Sequence, residues 1–173
     1  MSGLEIERKF LVRNDDYKRQ ARSSSRVQQG YICSDHGRTV RVRIRDDRGY
    51  LTIKGPSDKE GVVRYEFEKE ISLDEARELM KLCVSGLIDK TRYLVESGKH
   101  TFEVDEFYGE NQGLVVAEVE LQQADESFEK PDFIGDEVTG DHRYSNAYLS
   151  IYPYSTSSWE KGGKSADRQQ PLS

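Results

Sequence analysis

The chain has 173 residues, 35% hydrophobic and 34% charged, with a net charge of −6. That length suits one domain with a real core, and the acidic balance speaks against nucleic acid as a partner, because its binders ordinarily carry a basic excess. No apolar run has the length of a signal peptide or a membrane span, and Cys33 and Cys83 match no metal or redox spacing, so the expectation is a reduced, cytoplasmic protein with no membrane partner.

Period-two alternation predicts strands near 3–12, 27–33, 39–46, 49–55, 62–71, 87–96, 99–107 and 114–122. Between the first two, Asn14 is a candidate cap for a short helix over Asp15–Ala21. Asp47-Arg48-Gly49, Gly55-Pro56-Ser57-Asp58 and Ser97-Gly98-Lys99 suit hairpin connections. The segment SLDEARELMKLC opens with a capping box, Ser72 and Glu75, and predicts a helix over 72–83. Its apolar stripe of Leu73, Ala76, Leu79, Met80 and Cys83 should cover the sheet. A last short helix is expected from Ser145 to about Ile151. From Tyr154 onward Ser, Gly, Lys and Gln dominate, so the domain is read as 1–153 and residues 154–173 as a flexible tail. Eight short strands on short connections make a mainly β (α+β), antiparallel fold, and that many twisted strands tend to curl or close.

Sorting the strands by face exposes the pattern that matters. Arg41, Arg43 and Arg45 share a side opposite Val42 and Ile44, and Lys54 opposes Ile53. Glu66 and Glu68 oppose Tyr65 and Phe67; Lys90 and Arg92 share a side. Glu103 and Asp105 oppose Phe102 and Val104, and Glu118 and Glu120 oppose Val119 and Leu121. Near the N-terminus, Glu5, Glu7 and Lys9 align in the same way. One such strand is what any half-solvated sheet shows. Seven are different, because the polar faces are almost wholly ionic and segregated by sign, whereas an ordinary surface mixes its charges.

Closing the sheet with the charged faces inward resolves this. The apolar faces then look outward, under the helices, and the interior becomes an ion-lined tunnel. Its eight acids and seven bases leave it one negative charge from neutrality. Two divalent cations would bring it to about +3, a match for a small polyanion such as triphosphate. Carboxylate oxygens suit Mg²⁺ or Mn²⁺, and Arg and Lys suit phosphate oxygens. With no Ser-His or Cys-His pairing as covalent nucleophile, a metal-activated water is the natural attacker in phosphoryl transfer. GPSDKEG lacks P-loop spacing, so phosphate must be held by side chains.

In this order the blocks Glu5-Ile6-Glu7-Arg8-Lys9, RVRIR with a downstream TIKG, EFE, KTRY, EVD and EVEL resemble the CYTH superfamily, the triphosphate tunnel metalloenzymes. The likeness covers roughly residues 4–151 and is nearest the small bacterial branch associated with inorganic triphosphate hydrolysis. It implies a closed eight-stranded antiparallel β-barrel and divalent-metal chemistry on a small-molecule triphosphate. By position it implies metal ligands at Glu5, Glu7, Asp105, Glu118 and Glu120. Phosphate would be held by Lys9, Arg41, Arg43, Lys54, Lys90 and Arg92, and the candidate catalytic groups are Tyr31, Lys90, Glu66 and Glu68. Tyr31, in QQGYI, is read either as a proton acceptor or lid at the tunnel mouth or as a packing tyrosine. Arg143, Tyr144 and Asn146 are read as anchors of the final helix, which could plug one barrel end. The alternatives are a class IV-type adenylate cyclase and a non-catalytic polyphosphate or nucleotide-binding module. The protein is expected as a monomer or homodimer.

Overall fold

The computed structural model describes residues 3–84 and 86–155. In chain order the elements are β1 (Leu4–Val12), α1 (Asp16–Gln20), β2 (Ser23–Asp35), β3 (Arg38–Arg45), β4 (Arg48–Lys54) and β5 (Val63–Ile71). They continue with α2 (Leu73–Met80), β6 (Ile88–Ser97), β7 (His100–Phe107), β8 (Val115–Glu120), β9 (Ile134–Glu137) and α3 (Asn146–Ile151). The sheet runs β5-β4-β3-β2-β6-β7-β8-β1-β9, every pairing is antiparallel, and β1 also pairs with β5. That last pairing closes an eight-stranded barrel. β1 divides its length: Leu4–Ile6 face β5, while Phe10 and Val12 pair with Glu137 and Ile134 of the added strand β9.

The tight β2–β3 turn places both His36 and Gly37 at positive φ, 50° and 83°, the backbone that a primed hairpin turn demands. α2 carries the expected capping box: Glu75 N donates to Ser72 Oγ at 3.0 Å and Ser72 N to Glu75 Oε1 at 2.9 Å. It stops at Met80, three residues short of the expected end. Leu82 and Cys83 close tighter i→i+3 bonds there, and Val84 N then donates to Tyr31 O, drawing the chain onto the barrel wall. The helix lies close because β4 presents Gly49 beneath it; a Cβ at that position would come within 2.6 Å of Ala76 Cβ.

The barrel is inverted relative to a greasy-centred one. Its main apolar cluster lies outside, where Phe10, Val95, Phe102, Val104, Ala117 and Val119 pack under Tyr17 of α1 and Phe133 and Ile134 of the 121–137 segment. Phe10, Phe102 and Phe133 are fully buried, and each such ring is worth roughly 1.5–3 kcal/mol of transfer free energy. A smaller cluster of Ile88, Phe107, Leu114, Val116 and Leu149 forms an apolar floor. Ile88, Phe107 and Val116 share strand faces with the inward charges of β6, β7 and β8, and Leu149 comes from α3, which packs on β2 and β6. The bore is therefore charged along only part of its length, with α3 capping the greasy end.

Tyr154 already belongs to the fold: it packs on that floor and its N–H donates to Asn111 Oδ1 at 2.8 Å. The rest of the expected tail, beyond Ser155, lies outside the described residues. No helix among the described residues is long and apolar enough to cross a membrane.

Candidate active site

Strand order converts the segregation of charge by strand into a segregation by wall. Around the closed barrel, β6, β2, β3 and β4 are contiguous and contribute Lys90, Arg92, Arg41, Arg43, Arg45 and Lys54. The opposite arc, β5, β1, β8 and β7, contributes Glu66, Glu68, Glu5, Glu7, Glu118, Glu120 and Glu103. Lys9 and Arg64 are the basic exceptions on the acidic arc. Between the walls lies a cavity of about 260 Å³, lined by every sequence-predicted site residue except Asp105.

On the basic wall the side chains are held by one another's neighbours. Asp105, only 3% exposed, accepts from Lys90 Nζ at 2.7 Å and, in a two-pronged contact, from Arg92 Nε and Nη2 at 2.8 and 2.9 Å. Burial opposes its ionisation, but Arg92 and Lys90 overcome that and hold its carboxyl far below the usual carboxylate range. Both of its oxygens are thus engaged by bases. Lys90 is fully buried, and burial, with Arg92 and Arg43 nearby and Asp105 opposing, brings its pKa down to about 7. Burial and the adjacent Arg41 and Arg92 likewise work against the charge of Arg43. Arg41 Nη2 donates to Thr52 Oγ1 at 3.1 Å, yet its Nε is buried without an acceptor. This wall is short of anion.

The acidic wall is short of cation. Glu7 stands opposite Glu120 in the β1–β8 ladder, as Lys9 does opposite Glu118. Burial, then Glu118 and Glu5, pushes the Glu7 carboxyl well above its ordinary value. Burial and Glu5 also raise Glu66 and Glu120. Two carboxylates escape by pairing. Burial disfavours charge on Glu118, but Lys9 Nζ at 3.5 Å and Arg92 hold it ionised. Burial likewise disfavours charge on Glu5, and Lys54 and then Arg64 outweigh it. Lys54 Nζ lies 3.1 Å from Glu5 Oε2 in hydrogen-bond geometry and 3.0 Å from Oε1 outside it, which leaves Oε1 buried without a hydrogen bond. Among the described residues no three His, Cys, Asp or Glu side chains already stand in a metal-holding arrangement.

Tyr31 is buried and lines the cavity beside Arg41, its partner on β3. Its hydroxyl accepts from Gln29 Nε2 at 3.2 Å. Glu68 accepts from Thr52 Oγ1 at 2.8 Å and lies 3.6 Å from Arg41 Nη2. Glu103 and Arg45 face inward as alternation requires. The sequence reading of the site missed Arg64, Thr52 and Asn146, which line the cavity, and Gln29, which is fully buried and bonds to the lining residues Tyr31 and Arg43. Arg64 was within reach of the same rule, since it continues the two-residue period of Glu66 and Glu68 one step earlier. Thr52 and Gln29 carry no charge and so leave no trace in a search for ions. Asn146, read as a helix anchor, also reaches the cavity, where Lys90 Nζ donates to its Oδ1 at 2.9 Å.

A barrel whose bore divides into a basic and an acidic wall defines a class, and comparison with known proteins identifies it. Residues 3–147 match the CYTH domain, and the chain belongs to that family. It is 50% identical over 153 residues to an inorganic triphosphatase of Acetivibrio thermocellus, spanning 88% of this chain and 96% of the relative. A second inorganic triphosphatase, from Nitrosomonas europaea, is 32% identical over 85% of this chain and 97% of its own. Among solved structures, that of an inorganic triphosphatase superposes with a TM-score of 0.61 at 29% identity, covering 85% of this chain and 94% of that one.

Proposed function

We propose that the protein hydrolyses inorganic triphosphate to phosphate and pyrophosphate inside the barrel, with Mg²⁺ or Mn²⁺ as cofactor. The observation that carries this reading is the pair of facing walls, each crowded with like charge and only partly neutralised by its ion pairs. A linear polyanion clasped by divalent cations supplies both deficits at once. The two triphosphatase relatives, matched over almost their whole length, support the same substrate.

The donor set fits a hard cation. Glu5, Glu7, Glu118 and Glu120 offer oxygens only, Glu5 Oε1 lacks a hydrogen bond, and Glu7 is driven toward protonation by burial and then by its acidic neighbours. These four would hold the metal, which when bound supplies Lewis acidity that neutralises charge on phosphoryl oxygens. Asp105, grouped by the sequence reading with the ligands, we assign instead to holding Lys90 and Arg92 in place. Arg41, Arg43, Arg92, Lys90, Lys54 and Lys9 bind the phosphate chain, and the free Nε of Arg41 awaits a phosphate oxygen. Glu68 and Thr52 orient Arg41. Catalysis here is mostly positioning and charge stabilisation, which suits a site with two prearranged walls.

The test supplies purified protein with Mg²⁺ or Mn²⁺ and either tripolyphosphate or ATP. Orthophosphate release from tripolyphosphate, without cyclic AMP from ATP, is the expected result. Cyclic AMP formation would place the chain with the adenylate cyclases, and tight binding without turnover would make it a binding module.

A further inference from the structure

Gln29 is fully buried at the centre of the basic wall, yet it carries no charge and no part of the scheme above uses it. Its Oε1 accepts from Arg43 Nε at 2.9 Å. Its Nε2 donates to Tyr31 OH at 3.2 Å and to Asn146 Oδ1 at 3.3 Å. Asn146 Oδ1 in turn accepts from Lys90 Nζ at 2.9 Å. The chain of contacts therefore runs from β3 through β2 to α3 and back to β6.

Its polarity is fixed from the Arg43 end. A guanidinium can only donate, so the atom facing Arg43 must be the Gln29 oxygen, the Gln29 nitrogen must then meet the Asn146 oxygen, and Lys90 Nζ donates to that same oxygen. The Gln29 nitrogen is then forced toward Asn146 and Tyr31, and neither amide can flip without setting donor against donor. One consequence falls on Tyr31. With its oxygen accepting from Gln29, its own hydroxyl hydrogen is free to donate into the cavity.

We propose that Gln29 and Asn146 are positioning residues acting as one unit: an amide relay that sets Arg43, Lys90 and the hydroxyl of Tyr31 for the substrate and ties the plug helix α3 to the basic wall. This rests on the triphosphatase reading for its substrate. It goes beyond that reading by assigning a task to two uncharged residues and a direction to the Tyr31 hydroxyl.

The test is a set of variants assayed for tripolyphosphate hydrolysis with Mg²⁺, with tripolyphosphate affinity measured separately by calorimetry. Asn146→Ala should lower kcat/KM about tenfold, the scale of losing a hydrogen bond to a charged group. Asn146→Asp keeps an acceptor for both Lys90 and Gln29 and should restore most of the loss in kcat, while its added charge weakens tripolyphosphate affinity. Gln29→Glu keeps the acceptor for Arg43 but turns an oxygen toward Asn146 and Tyr31, so it should impair turnover more than affinity. Combining Gln29→Glu with Asn146→Ala should cost little more than the worse single change, because each breaks the same relay. Asn146→Ala and Gln29→Glu should unfold a few degrees below the parent and stay folded at the assay temperature. Where Asn146→Asp has a kcat as poor as that of Asn146→Ala, or the two single effects multiply in the double variant, the relay is wrong and the residues only pack. A parent that binds tripolyphosphate without hydrolysing it would overturn the triphosphatase reading alone, and the same comparisons then apply to the calorimetric affinities.

Discussion

The basic and acidic walls are built on the same period-two alternation, yet they solve burial of charge differently. On the basic wall Asp105, reaching across from β7, accepts from the buried Lys90 and the part-buried Arg92, Glu103 and Glu68 approach Arg92 and Arg41, and neutral amides and hydroxyls hold Arg43 and Arg41. On the acidic wall Lys54 and Lys9 neutralise Glu5 and Glu118, while Glu7, Glu66 and Glu120 are left to repel their neighbours. The difference teaches which groups hold the barrel together and which wait for a ligand. A carboxylate locked between two cations stabilises the fold, and a carboxylate raised by burial and by other carboxylates stores a demand for a cation.

The comparison breaks first at Asp105. Asp105→Asn should destabilise the protein by about 3–5 kcal/mol, because it takes the carboxylate from the buried Lys90 and the part-buried Arg92; chemical denaturation measures this, and a loss below about 1 kcal/mol would show that the triad is not a structural lock. The pH dependence follows the same sign. The folded carboxyl titrates below the unfolded one, so the contribution is complete above the unfolded value near pH 4 and is lost as pH falls through the folded value.

Next in size is Glu7→Gln, expected to lower metal-dependent tripolyphosphate hydrolysis on the order of a hundredfold or more. In EDTA the same variant should melt a few degrees higher, roughly 3 °C, because a neutral isostere removes repulsion from Glu118 and Glu5. A lower melting temperature would mean Glu7 already has a structural partner. Glu120→Gln should lose activity in the same direction with the fold intact. Arg41→Ala is milder. It should raise KM about tenfold with a smaller change in kcat, since it removes a contact made before the transition state. Steady-state kinetics separates these outcomes, and an unchanged KM with slow turnover would move Arg41 to a transition-state role.

Much of this was legible in the sequence because charge alternation survives folding unaltered: Arg41, Arg43, Glu118 and Glu120 point where their parity says. The walls themselves were not legible. Parity assigns a face within each strand, but it cannot show that β2 sits between β3 and β6, and that insertion is what unites the bases. β9 was missed because four residues, Ile134–Glu137, carry too little pattern, and their pairing exists only where β1 has parted from β5. The start of β2, Ser23–Arg26, has no apolar alternation and owes its extension to β6. Gln29 and Asn146 were invisible as site residues because their importance lies in whom they bond.

The most direct measurement is calorimetric titration of the protein with tripolyphosphate, with Mg²⁺ and again in EDTA. Two unsatisfied walls predict that tight binding needs the cation and collapses in EDTA. Equal affinity in the two buffers would contradict the account, because the acidic wall would then have no part in holding the substrate.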